Sequence, residues 1–417
     1  MGDKARECAL HTVRRVCEQG AYSNIEISTA VNKYNLMGVD RSFCVALVNG
    51  VIERLYTLDY LISTASGREI KSIDKELLAV LRLGFLQLFY MNVPDMAACN
   101  ESVALVKNKN RRGFVNAVMR GACRSKAALL ESLEKKAAGN VRLSLSPDVY
   151  ELILKQYPDK AVDIMGAFYD RNALCLRVNN LKISGTALAS KLSTEGAEVE
   201  QRGKILLVHS GADIAIKAVN EGLAIVQGLS SQAAVEALGA KEGQTVVDVC
   251  ACPGGKSLGA ALDMGGKGRL ISMDLHANKL SLIEKSAERL GVQIVETYAH
   301  DGRKPKEELV SIADRVICDV PCSGLGAIKG RPEIRYKTLD TVGNLIQTQK
   351  AILENAWSYL KEGGRLVYST CTINKDENEG VLLPFAEKAK ANVIETRTVL
   401  PTEANHDGFY IAVLEKA

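Results

Sequence analysis

From about residue 240 the chain falls into a regular alternation. TVVDVCA (245–251), RLISMD (269–274), VQIVETYAHD (292–301), DRVICDV (314–320) and GRLVYST (364–370) are short apolar runs of strand type. Helical stretches separate them, including ANKLSLIEKSAERL and NLIQTQKAILENAWSYL. Strands that alternate with helices pair in parallel, with helices on both faces of the sheet. In such sheets ligands bind at the carboxyl ends of the strands, near the point where the strand order reverses. The chemistry of this chain is therefore to be sought where these runs end.

The first run opens into Cys250, Ala251, Cys252, Pro253, Gly254, Gly255, Lys256 and Ser257. Glycines let a backbone approach a ligand closely, and the helix that follows presents free N–H groups. A phosphate-binding loop needs G-x-x-x-x-G-K-[ST], but its first glycine position is Cys250, which argues against ATP or GTP. The dinucleotide fingerprint G-x-G-x-x-G is also absent. S-adenosylmethionine (SAM) remains, since it has no pyrophosphate and needs only a tight turn under its methionine end. A plain strand–helix connection is the bland alternative. Acids at the strand ends favour the cofactor. Asp274 ends the second run and is placed to accept both ribose hydroxyls; Asp301 ends the third and suits an adenine amino group; Asp319 ends the fourth. Any one of them could be an ordinary helix cap, but three fall at successive strand ends.

Cys322 follows the fourth run in DVPC, and Cys371 follows the fifth in STC. A lone cysteine is usually a small core residue. Two on the same rim, beside a methyl donor, have a specific use. Carbon 5 of a pyrimidine is a poor nucleophile until a thiolate adds to carbon 6. Carbon 5 can then attack a methyl group, lose its proton and release the thiol. Charge building on N3 needs an acid or a hydrogen-bond partner, a place suited to Asp319. The base must be unstacked to reach such a pocket.

The rest of the chain reads differently. Residues 1–125 are helical in pattern, with KELLAVLRLGFLQLFY apolar on more than one side and so central and buried. Residues 126–146 are small and polar and are expected to be a linker. Residues 147–235 mix strands (ALCLRVNNL, KILLVHS) with helices, a small α+β segment. The eleven Cys show no C-x-x-C pair and the five His do not cluster near them, so no metal site is expected. The charged start has no signal-peptide core and no run is long enough to span a membrane, so the cytoplasm is expected. Nothing in the sequence demands a dimer. Residues 1–146 hold 21 Lys/Arg against 14 Asp/Glu. Within them, 102–130 carries Lys107, Lys109, Arg111, Arg112, Arg120, Arg124 and Lys126 and no acid, which suggests a polyanion partner. A solvated helical face is an equal reading of that charge.

VDVCACPGGKS, CDVPCSG and VYSTCTINKDEN resemble the motifs of the NOL1/NOP2/Sun family of RNA cytosine-C5 methyltransferases. The resemblance implies that Cys371 is the nucleophile and that Cys322 assists product release. It also implies that residues 250–256 with Asp274, Asp301 and Asp319 hold SAM, and that Lys256 positions cofactor or base. GRPEIRYK (330–337) is similar to the family's R-x-P-[DE] segment near the substrate, which brings in Arg331. Cys252, Ser257 and Val320 replace the usual Ala, Thr and Ala. The N-terminal region, through DRSFCVALVNGVIERLYTLDYLI and FVNAVMRGACR, resembles NusB-like RNA-binding domains. Together these imply an all-α NusB-like domain (1–128), a small α+β subdomain (145–235) and a Rossmann-like class I SAM-dependent methyltransferase domain (236–417). They also imply a 16S rRNA cytidine as target, in free RNA or a partly assembled small subunit, with Lys107, Lys109, Arg111 and Arg112 gripping phosphates. A tRNA cytosine methyltransferase and a non-catalytic RNA-binding scaffold are the alternatives.

Overall fold

Lys75–Tyr90 buries eleven of its sixteen residues, as its two-sided apolar pattern requires. Asp74 caps it, accepting the Glu76 and Leu77 N–H groups at 3.0 and 3.3 Å. Lys4–Gln19, Gly38–Glu53, Leu55–Ser66, Asp95–Leu105 and Arg112–Arg124 pack around this helix. Gly84 permits the closest of these approaches, because a Cβ there would come within 2.5 Å of Ser102 Oγ and 2.7 Å of Met119 Sδ. The computed structural model describes residues 3–19 and 21–417. It divides into two units, Met1–Lys155 with Gly330–Thr338, and Gln156–Lys329 with Leu339–Ala417.

The first unit is helical throughout. The linker expected at 126–146 is instead largely helix, Lys126–Lys136 followed by Gly139–Arg142. The polar residues mislead because Leu129 and Leu133, four apart, form a narrow buried stripe while the lysines and glutamates face water. Residues 330–338, distant in sequence, complete this unit. The backbone breaks between Gly38–Glu53 and Leu55–Ser66, leaving terminal polar groups to satisfy. Tyr336 Oη donates to the Ile52 carbonyl at 2.6 Å, accepts the Leu55 N–H at 3.0 Å, and lies 2.8 Å from Ser144 Oγ. Ser23 donates to Glu333 at 2.7 Å, and Arg335 is fully buried with Nη1 donating to the Leu143 carbonyl.

The second unit holds two sheets. Strands β1 (Leu174–Val178), β2 (Glu198–Arg202), β3 (Ile205–Ser210) and β4 (Ala224–Val226) form an antiparallel sheet in the order β2-β3-β1-β4. Gly185–Thr194 and Ala212–Asn220 contribute buried leucines and alanines to its core. Arg177, fully buried, ties this sheet to the end of the helix Gly255–Asp263 by pairing with Asp263 at 2.6 Å.

The larger sheet contains β5 (Thr245–Asp248), β6 (Arg269–Asp274), β7 (Val295–Ala299), β8 (Ala313–Asp319), β9 (Leu360–Thr370), β10 (Asn392–Val399) and β11 (Phe409–Glu415). Its order is β10-β11-β9-β8-β5-β6-β7. The five expected strands are all present and run parallel to one another. The purely parallel expectation fails at the end of the chain, where β11 runs antiparallel to both β9 and β10. The order reverses between β5 and β8, which sets the ligand crevice above those two strands. Among the described residues no helix is long and apolar enough to cross a membrane, and no group of three or more His, Cys, Asp or Glu could hold a metal ion.

Candidate active site

Parallel pairing of β8 with β9 sets Asp319 opposite Ser369. Cys322 and Cys371 follow within three residues of that pair, and their sulfurs meet at 3.3 Å. The neighbouring Cys371 sulfur, then burial, push the Cys322 thiol well above its usual range, so it rests as a neutral thiol.

Asp319 carries two donors. Ser369 Oγ donates to its Oδ1 and Lys256 Nζ to its Oδ2, both at 2.6 Å. Lys256 stands above the Phe409 ring, 5.2 Å from its centre. Burial works against its charge, but the pairing with Asp319, helped by Cys371 and Asp248, outweighs burial and raises its pKa. Thus a cation, a carboxylate and two sulfurs converge at the ends of β5, β8 and β9.

The Gly-rich turn lies next to them. Ala251 N donates to the Met273 carbonyl at 2.8 Å, the Cys252–Pro253 bond is cis, and Gly254 has φ +105°. A Cβ at Gly254 would stand 3.1 Å from Ile283 Cγ1, so only glycine fits this turn. Gly255 starts the helix Gly255–Asp263, and its carbonyl accepts from Gln227 at 2.8 Å. At the end of β6, Asp274 accepts the Cys252 N–H on one oxygen (3.1 Å) and the His276 N–H on the other (2.9 Å). Each oxygen keeps a lone pair, which fits a pair of ribose hydroxyls. Asp301 is more occupied: Arg303 grips it through Nε at 2.9 Å and Nη2 at 2.7 Å and lowers its carboxyl to about 2. A bond to an adenine amino group would use the lone pairs that remain.

Two carboxylates here were not expected from the sequence. Asp248, at the end of β5, is buried and accepts from Ser257 Oγ at 2.6 Å, and burial pushes it up to about 7. The hydroxyl matters here, so Ser257 serves as the usual threonine would. Asp248 was legible as a fourth strand-end acid. Glu377, in INKDEN, is fully buried beneath the two cysteines' loops. A polar hexapeptide carries no periodic sign of burial.

The expected phosphate grips, all in the helical unit, separate into two kinds. Lys107, Lys109 and Arg331 are exposed. Arg111 pairs with Asp74 at 2.9 Å, and Arg112 is half-buried with Nε donating to the Val106 carbonyl at 2.8 Å. Arg112 therefore holds its own loop.

A mixed seven-stranded sheet with a Gly-rich turn after its first strand and acids at successive strand ends defines the class: a Rossmann-like methyltransferase. Comparison with known proteins narrows it. Residues 235–415 match the 16S rRNA methyltransferase RsmB/F family, 3–124 the NusB family, and 149–211 the ferredoxin-like domain of RsmF/B-like methyltransferases. A probable ribosomal RNA small subunit methyltransferase B from Synechocystis is 32% identical over 99% of both chains. A protein of the same description from Bacillus subtilis is 30% identical over 99% of this chain and 98% of its own. A solved methyltransferase homolog protein from Pyrococcus horikoshii is 26% identical, with TM-score 0.61, over 67% of this chain and 97% of its own. The chain belongs to the ribosomal RNA small subunit methyltransferase B family. Residues 3–124 of the helical unit are thus a NusB domain, and residues 149–211, which hold β1 to β3, a ferredoxin-like domain.

Proposed function

We propose that this chain methylates carbon 5 of a cytidine in 16S rRNA, with SAM as the methyl donor. The observation that carries the reading is the pair of sulfurs at 3.3 Å beside the Lys256–Asp319 pair. The turn at 250–256 and Asp274 would hold the donor, which supplies an electrophilic methyl group when bound.

The thiolate of Cys371 adds to carbon 6 of the flipped cytosine, forming a C–S bond and moving electron density toward N3 and carbon 5. Asp319, held by Ser369 and Lys256, accepts a hydrogen bond from the base, and Lys256 keeps a proton within reach. Once carbon 5 carries the methyl group, its proton passes to water, the electron pair of that C–H bond re-forms the C5–C6 double bond, the C–S bond breaks, and Cys371 departs as thiolate. Cys322, a neutral thiol in contact with Cys371, assists that departure. Exposed Lys107, Lys109 and Arg331 would contact phosphates.

Two features support the assignment beyond the sulfurs. Residues 235–415 match a family of 16S rRNA methyltransferases, and the chain and its curated relatives align over nearly their whole lengths. The test is incubation of the purified chain with SAM and, separately, 16S rRNA and tRNA, followed by bisulfite sequencing. One 5-methylcytosine position in 16S rRNA and none in tRNA is expected. Modification of tRNA alone, or of neither, would contradict the reading.

A further inference from the structure

One residue beyond each sulfur lies a buried cluster of hydrogen-bonded side chains. Ser323 follows Cys322, Thr372 follows Cys371, and their hydroxyls lie 2.8 Å apart. Below them is Glu377. Its Oε1 accepts from Ser323 Oγ at 2.5 Å and from Asn374 Nδ2 at 3.1 Å; its Oε2 accepts from the Ser323 N–H at 2.8 Å and from Gln349 Nε2 at 3.0 Å. Gln349 also donates to the Pro321 carbonyl at 2.9 Å. All six residues from Ser323 and Gln349 to Thr372, Asn374, Glu377 and Asn378 are buried.

A carboxylate in such a place is costly unless every lone pair is used, and these four neutral donors use them. It is also an acceptor only. An amide in its place would turn N–H groups toward groups that themselves donate. The four bonds join the strand-end loop of Cys322, that of Cys371 and the helix Val342–Ser358, so the carboxylate fixes the two loops against each other.

We propose that Glu377 is a positioning residue for the two-thiol chemistry: it holds Cys322 against Cys371, and the elimination step depends on that contact. The inference rests on the roles given to the two cysteines above.

The test uses the full chain and two variants, Glu377→Gln and the milder Ser323→Ala. The first readout needs neither RNA nor SAM. Diamide takes two electrons and two protons from a thiol pair, leaving a disulfide and the hydrazine. Closure of Cys322–Cys371 is followed by peptide mass spectrometry. Cys99 and Cys123, whose sulfurs are also 3.3 Å apart but lie in the helical unit, serve as an internal control. Glu377→Gln should slow closure at the site at least ten-fold and leave the control pair within two-fold; Ser323→Ala should fall between. The second readout is a single turnover with RNA and SAM. Glu377→Gln should form the protein–RNA adduct within about three-fold of the normal rate and release product at least ten-fold more slowly. A variant with only general damage would lose adduct and product together, and that pattern overturns the proposal. So does closure and release within two-fold of wild type in both variants. If Glu377→Gln does not fold, Ser323→Ala decides by the same two rates. A wild-type protein that closes the disulfide under control of Glu377 yet forms no RNA adduct overturns the methylation reading and leaves the positioning role standing.

Discussion

Ser369 sits directly across from Asp319 on the neighbouring parallel strand and donates to it at 2.6 Å. That register decides where the chemistry lies. Side chains alternate along a strand, so a shift of one residue would turn Ser369 away from Asp319. It would also carry Cys371 out of reach of Cys322. The pairing further leaves the other Asp319 oxygen for Lys256.

Lys256→Met should abolish most of the activity. The substitution leaves the half-buried Asp319 without its cation and removes the ammonium proton held beside it. A loss of about 10²–10⁴-fold in kcat is expected for a group in general acid–base contact. Calorimetry should show SAM affinity changed far less than kcat. A variant with normal kcat would remove Lys256 from the account.

Asp248 predicts a pH effect on stability. Its carboxyl is raised to about 7 by burial, against about 3.9 in an unfolded chain. The folded state therefore binds this proton more tightly. The stability it brings is full below the unfolded value and is lost as pH rises through about 7. In thermal unfolding, Asp248→Asn should gain on wild type as pH rises from about 5 to about 8. A Tm difference that stays constant across that window would contradict the burial assigned to this group.

Charge neutralisation should separate two kinds of cation. Lys107→Gln with Lys109→Gln should weaken RNA binding and reduce the salt slope by roughly 0.7–0.9 for each phosphate left without its cation. Arg112→Gln should act on stability instead, because its guanidinium holds the Val106 carbonyl. Filter binding over a salt series and urea denaturation distinguish them. An unchanged slope in the double lysine variant would place the RNA on another face.

Tyr336→Phe should destabilise the helical unit by about 1–3 kcal/mol, the usual effect of leaving buried partners unsatisfied. The Ile52 carbonyl and Leu55 N–H lose their shared partner at the break between two helices. Urea denaturation of the full chain, read by far-UV circular dichroism, would show the shift. No shift would mean that water replaces the phenol.

Much of the site was legible because strand-end position is set by short apolar runs, and each of the five runs from TVVDVCA to GRLVYST became a strand of the sheet. Cys322 and Cys371 could be placed on one rim by that alone. What was not legible depends on contacts distant in the chain. NVIETRTV, as β10, exposes nearly every residue, so it shows no alternation of apolar and polar positions. EVEQR, as β2, is an exposed edge strand for the same reason. Lys126–Lys136 hides two leucines among charges. Glu377 reads as a surface residue because only the folded loops bring four donors to it. Tyr336 bonds to a helix break some 280 residues upstream, which no local pattern announces.

Trapping the bond between protein and RNA tests the central claim most directly. Cys322→Ala, incubated with SAM and 16S rRNA, should leave a protein–RNA species that survives a denaturing gel, because the nucleophile remains and its release is impaired. Cys371→Ala should leave none. A trapped species in the Cys371 variant, or normal methylation in both, would contradict the account.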